Sequence, residues 1–191
     1  YVQTLTHELK SPLAAIRASA ELLQSPMSDE QRSSFIQNID IESQRLQKLI
    51  DRLLNLAKIE HQQSLHQPVA IQLAELVQSI LLRYQTRFEQ KHIQLQVQLD
   101  DGIKILGEAF LLEQAICNLL DNALDFTPDK GKIVVSLTIE AEQLVLSVRN
   151  QGEAIPDYAL PKLTDRFFSL PRPDTGKKST GLGLNFVQEI M

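Results

Sequence analysis

Apolar residues at Leu9, Leu13, Ile16, Ala20 and Leu23 step along the chain by four, three, four and three, the spacing of a helical seam. Ser25-Pro26-Met27-Ser28-Asp29 interrupts the pattern, and Ser28 or Asp29 can cap the next helix. Phe35, Ile39, Glu42, Leu46, Leu49, Leu53 and Leu56 resume the stepping, while Ile36, Ile50, Leu54 and Ala57 widen the apolar face. One helical hairpin cannot bury that much apolar surface alone, so the pattern predicts a homodimeric four-helix bundle. Residues 61–68 are polar, end in Pro68 and read as a linker.

Beyond Pro68 the period changes. Leu73 to Glu89 predicts a helix, and Ile93, Leu95, Val97 and Leu99 alternate with Gln94, Gln96 and Gln98 as in a strand with one wet face. Glu108 to Phe126 is helical, stopped by Thr127-Pro128. Ile133–Ile139 and Leu144–Arg149 are period-two runs around a short polar turn, a predicted hairpin. Gln151 to Thr180 has no long period and carries Pro156, Pro161, Pro171, Pro173 and Gly176. A loop of that length in a compact domain reads as a functional lid or a disordered stretch. Leu182 begins a last helix. The second domain is therefore expected to be α+β, with helices on one face of a mixed sheet.

Charge and composition narrow the function classes. A formal net charge of −5 argues against general nucleic-acid binding, because phosphate backbones attract basic surfaces. Cys117 is the single cysteine, which rules out an internal disulfide and a cysteine metal cluster. No run approaches the ~18 apolar residues of a membrane span. The chain opens at Tyr1-Val2-Gln3 already in helical pattern, without a signal-peptide pattern, and is expected to be a fragment lacking upstream sequence.

Four segments carry candidate chemistry. In His7-Glu8-Leu9-Lys10-Ser11-Pro12, His7 lies roughly 200° around the helix from Leu9, away from the seam. A neutral imidazole can attack phosphorus, and the Glu8 carboxylate can hold its other nitrogen in the needed tautomer. Pro12 cannot donate to the Glu8 carbonyl, which predicts a loosened helix beside the nucleophile. A surface histidine on a dimerisation helix fits these residues as well. Asn118 and Asn122 share a helix face, and their amide oxygens suit Mg²⁺, which also keeps phosphate oxygens and water; a solvated polar stripe is the plainer reading. In Arg149-Asn150-Gln151-Gly152 a side chain at a strand end can meet the edge of a flat base, with glycine allowing close approach, though a strand ending in a turn is simpler. Ser179-Thr180-Gly181-Leu182-Gly183-Leu184 opens a helix whose backbone N–H groups can face phosphate, with Lys177 and Lys178 upstream; a bare helix start is the alternative.

In this order and at these separations the segments resemble those of the sensor histidine kinases of two-component systems. His7 to Leu13 resembles the family's histidine box, and Asn118 to Pro128 its asparagine box. The Asn150/Gly152 and Gly181/Gly183 segments resemble its two glycine boxes, and Arg166-Phe167-Phe168 its phenylalanine box. The resemblance implies an α plus α+β architecture. Residues 1–60 would be an antiparallel helical hairpin forming a dimeric four-helix bundle with the phosphoacceptor histidine. Residues 61–68 would link it to an ATP-binding α/β sandwich of the Bergerat type over 69–191, shared with gyrase and MutL and truncated at its C-terminus.

The function so implied is ATP:protein-histidine phosphotransfer with ATP and Mg²⁺. His7, assisted by Glu8, would accept the phosphoryl group and pass it to an aspartate of a response regulator. Asn122, with Asn118 beside it, would hold Mg²⁺, Phe126 would line the adenine side, and Asn150 with Gly152 would read the base. Gly181 and Gly183 would sit at the phosphates with Thr180, Leu182, Lys177 and Lys178 around them. Ser11 stands where many relatives position water for dephosphorylating the regulator. The portion in hand is expected to be cytoplasmic, its parent being anchored in the bacterial inner membrane only through a segment upstream. Three residues depart from the family's pattern: Asn150 replaces an aspartate, Ala154 a glycine, and Asp125 a residue that is often basic. They support the competing expectation of a nucleotide-binding or degenerate dimeric scaffold without kinase activity.

Overall fold

The computed structural model describes residues 2–61, 68–174, 176 and 179–191; the side chains of 2–5, 7, 8, 52 and 55–61 lie outside that description. The chain falls into two compact units, Tyr1–His61 and Gln62–Met191. The linker expected at 61–68 lies mostly on residues outside the described ones.

The first unit is a helical hairpin of α1 (Val2–Leu22) and α2 (Asp29–His61). Of the two expected caps, Ser28 is the one used. Its Oγ accepts from the Gln31 N–H, and the Gln31 side-chain oxygen accepts from the Ser28 N–H, both at 3.2 Å, a reciprocal capping box. Pro12 lies inside α1 with its side chain fully buried. In α2 the less exposed face follows the expected seam, with Leu49 buried. In α1 it follows Leu9, Ile16 and Leu23, but Pro12 and Ser19 are buried in place of Leu13, which is 57% exposed, and Ala20. At those two positions of α1 the neighbouring residue, Pro12 or Ser19, faces α2. Ile36, Ile41, Ile50 and Leu54 are likewise left open to solvent within the single hairpin.

Ser19 is buried and accepts from the Asn38 amide at 2.8 Å, a polar pair that fixes the register of the two helices. Asn38→Ala leaves the Ser19 hydroxyl without this donor in a dry site. We expect a loss of about 1–2 kcal/mol, read as a lowered urea midpoint at constant protein concentration. A midpoint equal to wild type would show that the pair does not specify the register.

The second unit is built on a three-stranded mixed sheet. β1 (Val69–Gln72) leads into α3 (Leu73–Gln90), followed by β2 (Gln94–Leu99), β3 (Lys104–Gly107), α4 (Ala109–Phe126), β4 (Lys132–Glu140), β5 (Gln143–Asn150) and α5 (Gly183–Ile190). The strand order is β2-β4-β5, with β2 parallel and β5 antiparallel to β4. Ile133, Val135 and Leu137 alternate along β4 and are fully buried. They pack with Val77, Ile80 and Phe88 of α3 and Ile116, Leu120 and Leu124 of α4 in one core. Each such side chain contributes roughly 1.5–3 kcal/mol when removed from water.

The predicted helices and long strands are present, but β1 and β3 are not among the expected elements. They pair antiparallel, from Val69 opposite Gly107 to Gln72 opposite Lys104, and span only four residues each, too few to display a period. The hairpin turn between β4 and β5 is the two residues Ala141 and Glu142, at φ 47° and 68°. That left-handed pair matches the twist of the strands even without glycine. α4 stops at Thr127, whose hydroxyl donates to the Ala123 carbonyl ahead of Pro128.

Candidate active site

A cavity of about 920 Å³ opens in the second unit, where α4, the end of β5, the segment 152–173 and the start of α5 come together. Asn122 and Phe126 reach it from α4, Asn150 from the last residue of β5, Gly152 from the loop behind it, and Gly181 and Gly183 from the entry to α5. Residues separated by some 60 positions in sequence thus share one wall.

Glycine is required at two of these places for definite reasons. A Cβ on Gly152 would collide with the Phe126 carbonyl oxygen, so its absence lets the loop leaving β5 cross closely over the end of α4. Gly181 sits at φ +63°, and a Cβ there would lie 2.5 Å from the Phe167 carbonyl carbon and from the Phe168 carbonyl oxygen. Its own carbonyl accepts from the Phe167 N–H at 2.9 Å. Phe167 is itself held at φ 65°, uncommon for a residue with a side chain.

The segment around these phenylalanines is tied to α5. Asn185, almost fully buried, donates to the Thr164 carbonyl at 3.1 Å and accepts from Arg166 Nε at 3.1 Å. Arg166 also meets Glu189 at 3.2 Å, and the Ser169 hydroxyl donates to the Ser179 carbonyl at 3.0 Å. The glycine-bearing turn and the phenylalanine segment therefore form one cross-braced layer, with Phe168 lining the cavity.

The remaining expected residues divide. Asn118 shares the stripe with Asn122 but does not line the cavity. Gly183 packs over it so closely that a Cβ would lie 3.3 Å from Asn118 Oδ1. Leu182 is buried and Thr180 half-buried, neither on the cavity wall. Lys177 and Lys178 lie outside the described residues. So do the side chains of His7 and Glu8, whose backbone is in α1; Ser11, one helical turn after His7, is exposed. Asp121, beside Asn122, turns the other way. Its Oδ1 accepts from Arg87 at 2.6 Å and from the Tyr84 hydroxyl at 2.9 Å, locking α3 to α4. Burial, then the Asp121 charge, pushes the Tyr84 hydroxyl pKa up.

Several cavity residues carry no signal in the sequence, among them Ser169, Leu170 and Arg172. Arg172 Nη2 lies 2.5 Å from Asp125 Oδ2. Burial raises the Asp125 carboxyl above the usual carboxylate range, while the guanidinium of Arg172 pulls it back down. The acidic residue that departs from the family's pattern is thus paired by a cation from the loop opposite.

A helical hairpin joined to an α/β domain with a glycine-bordered cavity above its second long helix is the makeup of a two-module phosphotransfer core. Residues 1–62 match the model of the His Kinase A (phospho-acceptor) domain, and residues 107–191 that of the histidine kinase-, DNA gyrase B- and HSP90-like ATPases. The chain belongs to the sensor histidine kinases of two-component systems. It is 43% identical over 190 residues to the sensor protein CreC of Escherichia coli K12, covering all of this chain and 40% of CreC. It spans less than half the length of the curated relatives it matches. Among solved structures, the histidine kinase AdeS of Acinetobacter baumannii superposes with a TM-score of 0.73 at 20% identity, over 96% of this chain and 85% of AdeS. The histidine kinase ThkA, in complex with the response regulator protein TrrA, gives 0.78 at 20% identity, over 100% of this chain and 53% of that one. At such identities these likenesses are of fold.

Proposed function

We propose that this chain is the catalytic core of a sensor histidine kinase that moves the γ-phosphoryl group of ATP onto His7 and then to an aspartate of a response regulator. The observation that carries the reading is the convergence of Asn122, Phe126, Asn150, Gly152, Gly181 and Gly183 on one cavity. Its volume lies within the ~300–1,000 Å³ range of small-molecule sites.

The donor set fits a magnesium nucleotide. Asn150 turns its amide N–H toward the Gln151 carbonyl at 3.4 Å, leaving Oδ1 to accept from an exocyclic amine of the base. Gly152 lets the base lie close to backbone, and Phe126 offers it an apolar wall. The start of α5 presents N–H groups and the positive end of its dipole to phosphate. The Asn122 amide oxygen, a neutral hard ligand, suits Mg²⁺ shared with phosphate oxygens and water. Mg²⁺ when bound neutralises charge on the transferring phosphoryl group.

At His7 the unprotonated ring nitrogen attacks γ-phosphorus. The N–P bond forms, the bond to the bridging oxygen breaks, and ADP leaves with the electron pair. Glu8 takes up the charge that develops on the other ring nitrogen. In this reading Ser11, exposed one turn further along α1, positions water when the regulator is dephosphorylated. The apolar stripe left open by Leu13, Ile36, Ile50 and Leu54 supports a second copy of the hairpin completing a four-helix bundle. No helix among the described residues is long and apolar enough to cross a membrane. We assign this portion to the cytoplasm and any membrane anchor to the rest of the parent protein.

Calorimetric titration tests the nucleotide site. Wild type should bind ATP with Mg²⁺, and Asn122→Ala should weaken it by about tenfold or more, roughly 1.4 kcal/mol per tenfold. Chelating the metal should cost the wild type affinity and cost the variant little. Equal metal dependence in the two proteins would remove Asn122 from the metal site.

A further inference from the structure

Pro171 and Pro173 flank Arg172 on the segment that closes one side of the cavity. Each proline fixes its own φ, so the long arginine side chain is the part with freedom to move. Its guanidinium is held by Asp125 at 2.5 Å. Two residues on, Asp174 Oδ2 meets the Lys91 ammonium at 2.5 Å, and that ammonium also donates to the Leu124 carbonyl at 2.7 Å. The segment is thereby fastened to the last turn of α4 at two points, one on either side of Pro173.

Asp125 stands three residues after Asn122, on the same side of α4 and about 4.5 Å further along its axis. Gly183, at the start of α5, covers Asn118 on the neighbouring turn. The guanidinium is therefore within a side chain's sweep of the place where Asn122 and α5 converge. Among the described residues lining the cavity Arg172 is the one cation, and the only other charged residue there is Glu153. Arg172 Nε is shut off from solvent and meets no acceptor among the described residues. A buried donor with no acceptor among the described residues is a place where an added acceptor gains most.

We infer that Arg172 is a phosphate-binding residue of this cavity, held in reserve by Asp125, which competes with the polyphosphate of a bound nucleotide for the same guanidinium. The inference rests on the reading of the cavity as a nucleotide site. Carboxylate and phosphate offer a planar guanidinium the same pair of oxygen acceptors, so the exchange requires only a swing of one side chain. Lys91 and Asp174 keep the segment docked meanwhile. The two partners then act in opposite directions. Removing Arg172 deletes a phosphate ligand, and neutralising Asp125 deletes both the competitor and a repelling charge.

Titration of the full chain with ATP and Mg²⁺ separates this from a merely structural clasp. Arg172→Ala should weaken binding by about tenfold or more, the effect expected for a hydrogen bond to a charged group. Arg172→Lys, which keeps the charge, should lose less, and Asp125→Asn should bind several-fold tighter than wild type. A clasp that only shapes the loop predicts weaker binding in Arg172→Ala and Asp125→Asn alike. That result, or an Asp125→Asn affinity no better than wild type, overturns the inference and leaves nucleotide binding standing. Wild type that binds no ATP at all overturns the reading beneath it as well.

Discussion

Replacing His7 by alanine will abolish the phosphoryl label that the full chain takes up from radioactive ATP. A phosphoryl group on an imidazole nitrogen survives alkali and is lost in acid, so the bond type can be read independently of the site. The variant should fall to background in the alkali-stable fraction while its affinity for ATP stays at the wild-type value, because His7 and the cavity belong to different compact units. Glu8→Gln should retain the acceptor but slow labelling by about 100-fold, the scale on which a positioned carboxylate assists proton movement. Unchanged alkali-stable labelling in His7→Ala would mean that another residue takes the phosphate. Loss of ATP affinity in the same variant would mean that the helix, rather than the imidazole, had been damaged.

Gly181→Ala should be nearly as severe, for a different reason. The left-handed conformation at φ +63° costs a residue with a Cβ about 1–2 kcal/mol. The added carbon would also lie 2.5–2.6 Å from backbone atoms of Phe167 and Phe168, which cannot rotate away as a side chain can. The turn must therefore shift and break its bond with the Phe167 N–H, displacing the entry to α5 from the cavity. We expect ATP affinity to fall by well over tenfold, about 1.4 kcal/mol for each factor of ten. Gly176 supplies the control. Its φ of +64° is nearly the same, but none of the described residues comes within 4 Å of the corresponding Cβ. Gly176→Ala should change affinity only slightly, and equal losses in the two variants would refute the steric account.

Much of this architecture is legible in the amino-acid order. α3, α4, β4 and β5 are long enough to repeat their period several times, and in β4 one-sided burial imposes it strictly. The helix stop at Thr127-Pro128 and a cap at Ser28 or Asp29 are local and read directly, whereas the choice of Ser28 and its reciprocal bond with Gln31 come from the fold. β1 and β3 are only four residues long, and they are fixed by each other rather than by any pattern of their own. In the hairpin the seam of α2 reads directly, while in α1 the one-residue shift from Leu13 and Ala20 to Pro12 and Ser19 does not, because packing against α2 decides it. At the cavity, spacing places Asn118 and Asn122 on one stripe, yet only the fold reveals that Gly183 covers the first and leaves the second open. Arg172 is silent in the sequence because its meaning comes from Asp125, 47 positions earlier, to which no periodicity connects it.

The turn at Ala141 and Glu142 has a practical use. β5 carries eight residues from that turn through Asn150, which at about 3.3 Å each puts roughly 25 Å between the bend and the cavity wall. Both turn residues are exposed. A dye or small reporter grafted into the bend, with Asn-Gly introduced to keep the left-handed geometry, would ride on the rigid sheet without touching the nucleotide. It would give a fixed point on the second unit from which nucleotide binding in the cavity could be followed.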